Sequence, residues 1–265
     1  MAPRRRGLAL AAALLQAAGG AMAAVLAAAC AGSGTTTLCH SQALSVSGGA
    51  YMIMNNEWHS RAAQCITTDG NANFTVANSS IDKTTHGAPG GYPFIYKGCH
   101  WGACTSGSGL PIRVSGIRTG TVITSWHTTQ PKGSNVYNVA YDIWFNQTPT
   151  TSGQPNGAEL MIWLNHHGPI RPAGSLMATD VGIGGHSYQV WVRQWHWNTI
   201  SYETTGATSL SDVDLRAFVA DAVSRGYISS SWYLIGVEAG FELWHGGTGL
   251  ATNSFSVNVA GGGSS

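Results

Sequence analysis

The sequence predicts an all-β sandwich or closed sheet with one amphipathic helix. Three observations carry this: strand-length segments of strict apolar/polar alternation, turn clusters rich in Gly, Asn and Pro between them, and a single stretch of helical spacing. The clearest strand is 137–145, where Tyr137, Val139, Tyr141, Ile143 and Phe145 share one face while Asp142 and Trp144 take the other. Segment 187–197 alternates too, with Trp191, Trp195 and Trp197 in one parity. Segment 114–126, with its Thr and Ile residues, predicts a further strand. The residues 147–157 and Ala88-Pro89-Gly90-Gly91 read as turns. The helix is predicted after Ser211 as cap, with Asp212 and Asp214 in its first turn. Leu215, Phe218, Val219, Ala222 and Val223 recur at helical spacing, and Arg225-Gly226 closes it.

Outside this domain the two ends differ in kind. Arg4, Arg5 and Arg6 precede an Ala/Leu-rich run that ends in small residues around Cys30, so 1–31 reads as a secretory signal. The run is long enough to span a membrane, but Ala is weakly apolar and no basic stop-transfer flank follows. The domain is then 32–260, and 261–265 (Gly-Gly-Gly-Ser-Ser) has the composition of a flexible tether to a further module, such as a carbohydrate-binding one.

Without the three signal arginines, ten Lys plus Arg face twelve Asp plus Glu. That balance is no footprint for nucleic acid or an anionic membrane. Charged residues make up only 9% of the chain, which suits a secreted protein that meets a neutral polymer. Four cysteines remain after the signal, an even number that implies disulfides in an exported chain. Three pairings are possible, and sequence neighbours most easily give Cys39–Cys65 and Cys99–Cys104.

The few acids can be weighed singly. Asp212, Asp214 and Asp221 belong to the helix, Asp69 to a turn, and Asp82 and Asp180 to polar connections. Glu57, Asp142, Glu159, Glu203, Glu238 and Glu242 remain. In Glu159-Leu160-Met161-Ile162-Trp163-Leu164-Asn165, alternation puts Glu159 on one face with Met161 and Trp163. A carboxylate beside an aromatic on a strand face is costly without a partner and useful to a glycosidase, which needs a ring for the sugar and an acid for the anomeric carbon. In Gly236-Val237-Glu238-Ala239-Gly240-Phe241-Glu242, both glutamates have the same parity, and the glycines leave room for a substrate near the backbone. Periodicity does not choose between them.

Other chemistries lack their residues. His166 and His167 are adjacent and point to opposite faces of an extended chain, and Glu-x-x-His is absent, so no metal site is predicted. Gly107-Ser108-Gly109 is only a fragment of a nucleophile elbow, and Gly182-Ile183-Gly184-Gly185 lacks the Lys-Ser/Thr of a phosphate loop.

The strand of Glu159 closely resembles the nucleophile strand of glycoside hydrolase family 12, the small secreted bacterial endoglucanases. Asn55-Asn56-Glu57-Trp58, Tyr92-Pro93-Phe94-Ile95-Tyr96-Lys97-Gly98-Cys99-His100-Trp101-Gly102 and Gly240-Phe241-Glu242-Leu243-Trp244 resemble three further family segments in order. The resemblance implies a β-jelly roll of two curved antiparallel sheets, a concave substrate cleft and the helix on the convex side. It also implies retaining hydrolysis of internal β-1,4 bonds of cellulose and related β-glucans. Glu159 would be the nucleophile and Glu242, which follows Gly-Phe, the acid/base; Leu243 stands where the family usually has Pro. Asp142 matches the aspartate that hydrogen-bonds the nucleophile, and Asn56 the asparagine near the acid/base. Trp58 and Trp163 match sugar-stacking aromatics, with Met161 beside them, and the family pairs the cysteines as above. No metal or organic cofactor is implied, and a monomer is the default. Two alternatives stay open: specificity for xyloglucan or mixed-linkage β-glucan, and a non-catalytic carbohydrate-binding jelly roll.

Overall fold

The computed structural model describes residues 34–260; the proposed signal and the Gly/Ser tether lie outside them. The chain begins with β1 (Thr36–Cys39), β2 (Ala43–Val46), β3 (Tyr51–Met54), β4 (Gln64–Thr68) and β5 (Phe74–Ser79). It continues through β6 (Phe94–His100), β7 (Ala103–Cys104), β8 (Ile112–Arg113), β9 (Val122–Thr129), β10 (Val136–Asn146) and β11 (Ala158–His167). Then come β12 (Ser175–Ile183), β13 (His186–Gln194), β14 (Asn198–Glu203), β15 (Ser209–Asp214) and α1 (Arg216–Ser224). Last are β16 (Tyr233–Gly240), β17 (Leu243–His245) and β18 (Ala251–Val259).

Two sheets form the sandwich. The smaller runs β1-β4-β5-β18-β9-β15; the larger runs β12-β13-β14-β11-β10-β16-β6-β3-β2, with β7, β8 and β17 as short additions. The predicted alternation of β10 holds: Tyr137, Val139, Tyr141, Ile143 and Phe145 enter the core between the sheets with Trp126, Phe241 and Phe255. Full burial of such side chains stabilises by about 1.5–3 kcal/mol each. The expectation of wholly antiparallel sheets needs one correction. β11 and β14 are parallel, because the β12–β13 hairpin intervenes and returns the chain to the same edge in the same direction.

Three local expectations also change. Segment 114–126 is not one strand: Val114–Gly116 is a 3-10 turn, and β9 starts only at Val122. Segment 187–197 breaks at Gln194, so Trp195 and Trp197 sit in the β13–β14 turn rather than in a strand. The predicted helix cap is instead β15, which pairs with β9 through Leu210↔Trp126 and Val213↔Thr124. Helix α1 starts later, and Asp214 Oδ1 accepts the Arg216 N–H at 2.9 Å. Sheet pairing with a buried Leu210 outweighs a local cap worth about 1 kcal/mol.

The helix does cover the core face of the larger sheet at β13 and β14. Phe218 meets Tyr188 and Tyr202 edge-on at 5.2 Å, and the Tyr202 hydroxyl donates to Asp221 at 2.7 Å. The disulfides are Cys39–Cys65 and Cys99–Cys104, the first joining β1 to β4 and the second closing the β6–β7 turn.

Candidate active site

The free face of the larger sheet carries the acids, and strand register locates each one. Partnered residues form rows across the strands. One row runs Gly236, Trp144, Glu159, Thr199, Arg193; the next runs Tyr96, Glu238, Asp142, Met161, Ser201, Trp191. A third runs Phe94, Gly240, Ala140, Trp163, Glu203, Gln189. Glu242 lies just past the end of β16, beside Asn138, whose N–H donates to the Glu242 carbonyl at 3.0 Å. Glu159 and Glu242 thus flank the two rows between them, and those rows are the floor of the groove.

Four acids come together at this centre, but only two reach the surface. Glu159 and Glu242 are half-buried, whereas Asp142 is 5% exposed and Glu238 1%. Glu238 is sealed by His100, whose Nδ1 lies 2.8 Å from its carboxylate. That cover separates the two glutamates that periodicity left equivalent.

Glu159 is held through one oxygen. The Trp197 indole N–H and the Thr199 hydroxyl both donate to its Oε2, at 3.2 and 3.0 Å, while Oε1 has no hydrogen-bond partner among the described residues. Burial raises its pKa, and these two donors pull it back. Glu242 is oriented by Asn138, whose amide donates to its carboxylate and whose Oδ1 accepts the Glu242 N–H at 2.9 Å. Burial, then the charge of Glu159, pushes Glu242 up to about 8, with Asn138 acting the other way. Asp142 is raised well above the usual carboxylate range, first by burial and then by the charge of Glu159, which favours its neutral form.

Several expected contacts are corrected. Asp142 makes no hydrogen bond to Glu159 among the described residues: it stands diagonal to it, with Oδ1 buried and unpartnered, and Trp197 and Thr199 occupy the nucleophile's oxygen. Asn138, not Asn56, is the asparagine bonded to Glu242; Asn56 instead adopts φ 47° and accepts the Tyr92 N–H through its carbonyl. Trp163 is 2% exposed, packed with Met161, Ile170 and Trp244, so it offers no open face to a sugar. Trp58 does stand out from the surface, 50% exposed, with one face on His59. The room beside Gly236 belongs to the protein rather than to a substrate, because a Cβ there would meet the Cys99 carbonyl at 2.8 Å. Leu243 uses what a proline lacks: its N–H donates to Gly91 at 2.9 Å.

Sequence reasoning missed Asn138, Trp197, Thr199 and His100. For Asn138 a signal existed, since it shares the parity of Asp142 on a strand with few polar residues. Among the described residues no group of three His, Cys, Asp or Glu is arranged as metal ligands.

Comparisons with known proteins place this arrangement. The probable cellulase Cel12b of Mycobacterium tuberculosis is 36% identical over 127 residues, 48% of this chain and 83% of that one. Endoglucanase S of Pectobacterium parmentieri is 34% identical over 177 residues, 63% of this chain and 65% of that one. A metagenome-derived family 12 endoglucanase superposes with a TM-score of 0.81 at 44% identity, over 86% of this chain and 99% of the other. Endoglucanase Cel12A from Rhodothermus marinus gives a TM-score of 0.79 at 47% identity, over 84% of this chain and 98% of the other. Residues 49–260, which include both open glutamates and both sheets, match the model of glycosyl hydrolase family 12, and the chain is a member of that family.

Proposed function

We propose that this family 12 hydrolase is a retaining endo-β-1,4-glucanase in which Glu159 is the nucleophile and Glu242 the acid/base. The single observation that carries the assignment is exposure: of four acids clustered on the groove floor, these two alone open to it, from opposite sides. Glu159 Oε1 attacks the anomeric carbon while Glu242, protonated below a pKa of about 8, gives its proton to the leaving oxygen. The glycosyl-enzyme ester forms as the glycosidic bond breaks. Glu242, now ionised, takes a proton from water, whose oxygen attacks the same carbon and releases Glu159. The Trp197 and Thr199 donors favour the ionised form of Glu159 against its burial, which suits the nucleophile.

Reducing-sugar release from a soluble cellulose derivative tests this, with NMR of the first-formed anomer reading stereochemistry. Wild type is expected to release the β-anomer first, and Glu159→Gln to be inactive. Binding without cleavage by wild type would support the carbohydrate-binding alternative, and an α-anomer would sink the retaining mechanism.

A branched substrate is the second reading. The Aspergillus terreus relative, 32% identical over 146 residues, is named a probable xyloglucan-specific endo-β-1,4-glucanase. The segment 166–174 contributes His166 and Arg171 to a cavity beside the groove with space for a side group. Rates on cellulose, xyloglucan and mixed-linkage β-glucan decide it. Two disulfides suit an oxidising compartment, and we place the mature enzyme outside the cell as a monomer.

A further inference from the structure

The glucanase reading leaves an imbalance on the groove floor. On the β6 side of the carboxylates stand Trp101 and Trp58, both exposed. On the β12–β14 side the aromatic expected to stack, Trp163, is buried. Continuing the floor rows outward from Met161 and Trp163 leads through Ser201 and Glu203 on β14 to Trp191 and Gln189 on β13.

Trp191 is half-buried and fixed. Its indole N–H donates to Glu203 Oε2 at 2.9 Å, and Glu203 Oε1 is backed by His166 Nε2 at 3.4 Å. Glu203 is 8% exposed, so this brace is built into the floor rather than floating on it. The exposed tryptophans elsewhere have rings occupied by neighbours: Trp58 by His59, Trp101 by His100, and Trp195 by His196 and Arg193. No aromatic ring packs on Trp191 among the described residues. On the far side of Glu203, and not lined by Trp191 itself, opens a cavity of about 350 Å³ whose walls include His166, Arg171, Asp180, Gln189, Glu203 and Thr205, a size at the lower end for small ligands and a lining of hydroxyl-matching groups.

We propose that Trp191 is a sugar platform, positioned by Glu203, that takes a glucosyl unit of the bound β-glucan chain two strands away from the nucleophile strand. The cavity beyond Glu203 receives that unit's hydroxyls. Strands lie about 4.8 Å apart, close to the length of one glucosyl unit, so a chain crossing the strands sets successive units over β11, β14 and β13. Glu203 is a positioning residue: it accepts from the indole and fixes the plane of the ring. This rests on the reading of the groove as a β-glucan site.

Calorimetric binding of cellohexaose tests it in a Glu159→Gln background, which does not consume the ligand. Trp191→Ala is expected to weaken binding about tenfold, a loss of about 1.4 kcal/mol. Trp191→Leu, which keeps apolar volume but no ring face, is expected to match it and guards against a folding defect. Glu203→Ala should weaken binding in the same direction, while Glu203→Gln, whose amide oxygen still accepts from the indole, should restore it; a purely structural role would not show that rescue. In the catalytically intact chain, Trp191→Ala should raise KM for cellohexaose and move the preferred scission point while kcat is kept. Unchanged affinity and an unchanged product pattern in both Trp191 variants overturn the proposal and leave the glucanase reading standing. A parent chain that does not bind cellohexaose at all overturns both.

Discussion

Glu238 and Glu242 are four residues apart on one segment, face the same side of the sheet, and have opposite surroundings. Glu238 lies within β16, with Tyr96 and Asp142 as its neighbours in the row and His100 above it. Glu242 lies two residues past the strand end, where no further strand covers it and Asn138 reaches it from β10. The difference teaches that a carboxylate's chemistry follows from what closes over it, not from the side of the sheet it occupies. Inside the strand an imidazole satisfies the acid. Beyond the strand end the acid keeps a path to substrate and a pKa of about 8.

The largest expected effect breaks the comparison outright. Glu242→Gln should lower kcat by about 10²–10⁴-fold, the usual contribution of general acid–base catalysis, while Glu238→Gln keeps activity on the same substrate. An inactive Glu238→Gln beside an active Glu242→Gln would reverse the assignment.

A second change sharpens it. Asn138 lowers the pKa of Glu242 by hydrogen-bonding its ionised form. Asn138→Ala should therefore move the alkaline limb of the kcat/KM profile to higher pH and reduce kcat by about tenfold through lost orientation. An alkaline limb that stays in place would separate it from Glu242 altogether.

The smallest effect is on stability. Glu242 has a folded pKa above its unfolded value, so its contribution is fully present below about pH 4 and is lost as pH rises to about 8. Buried Asp142 acts with the same sign. Glu242→Gln cannot ionise, and its melting temperature should fall less between pH 5 and pH 8 than that of wild type, by about 2 °C or more. Parallel melting curves for the two chains would contradict this.

The sequence carried the parts that period-two alternation and short-range spacing encode. β10 and β11 were legible because one face is uniformly apolar, and both disulfides because each joins residues in neighbouring or adjacent segments. It did not carry the β13–β14 turn: Trp195-His196-Trp197-Asn198 contains no Gly or Pro, so alternation ran straight through a hairpin. Trp197 and Thr199 were therefore invisible as partners of Glu159, since only the return of the chain beside β11 brings them within reach. The choice of Glu242 needed a family motif at the sequence level. In the fold it rests on His100, a residue 138 positions from Glu238.

The parallel pairing of β11 with β14 carries a consequence for how the enzyme fails. Both donors to Glu159 belong to the β12–β14 arm, an edge of the sheet whose outermost strand β12 is largely exposed. Edge units of this kind open at a lower free energy than the global transition. When the arm lifts, Glu159 loses the two hydrogen bonds that favour its ionised form. Heating should thus silence the enzyme while most of the molecule is still folded, and cooling should return activity as the arm settles back.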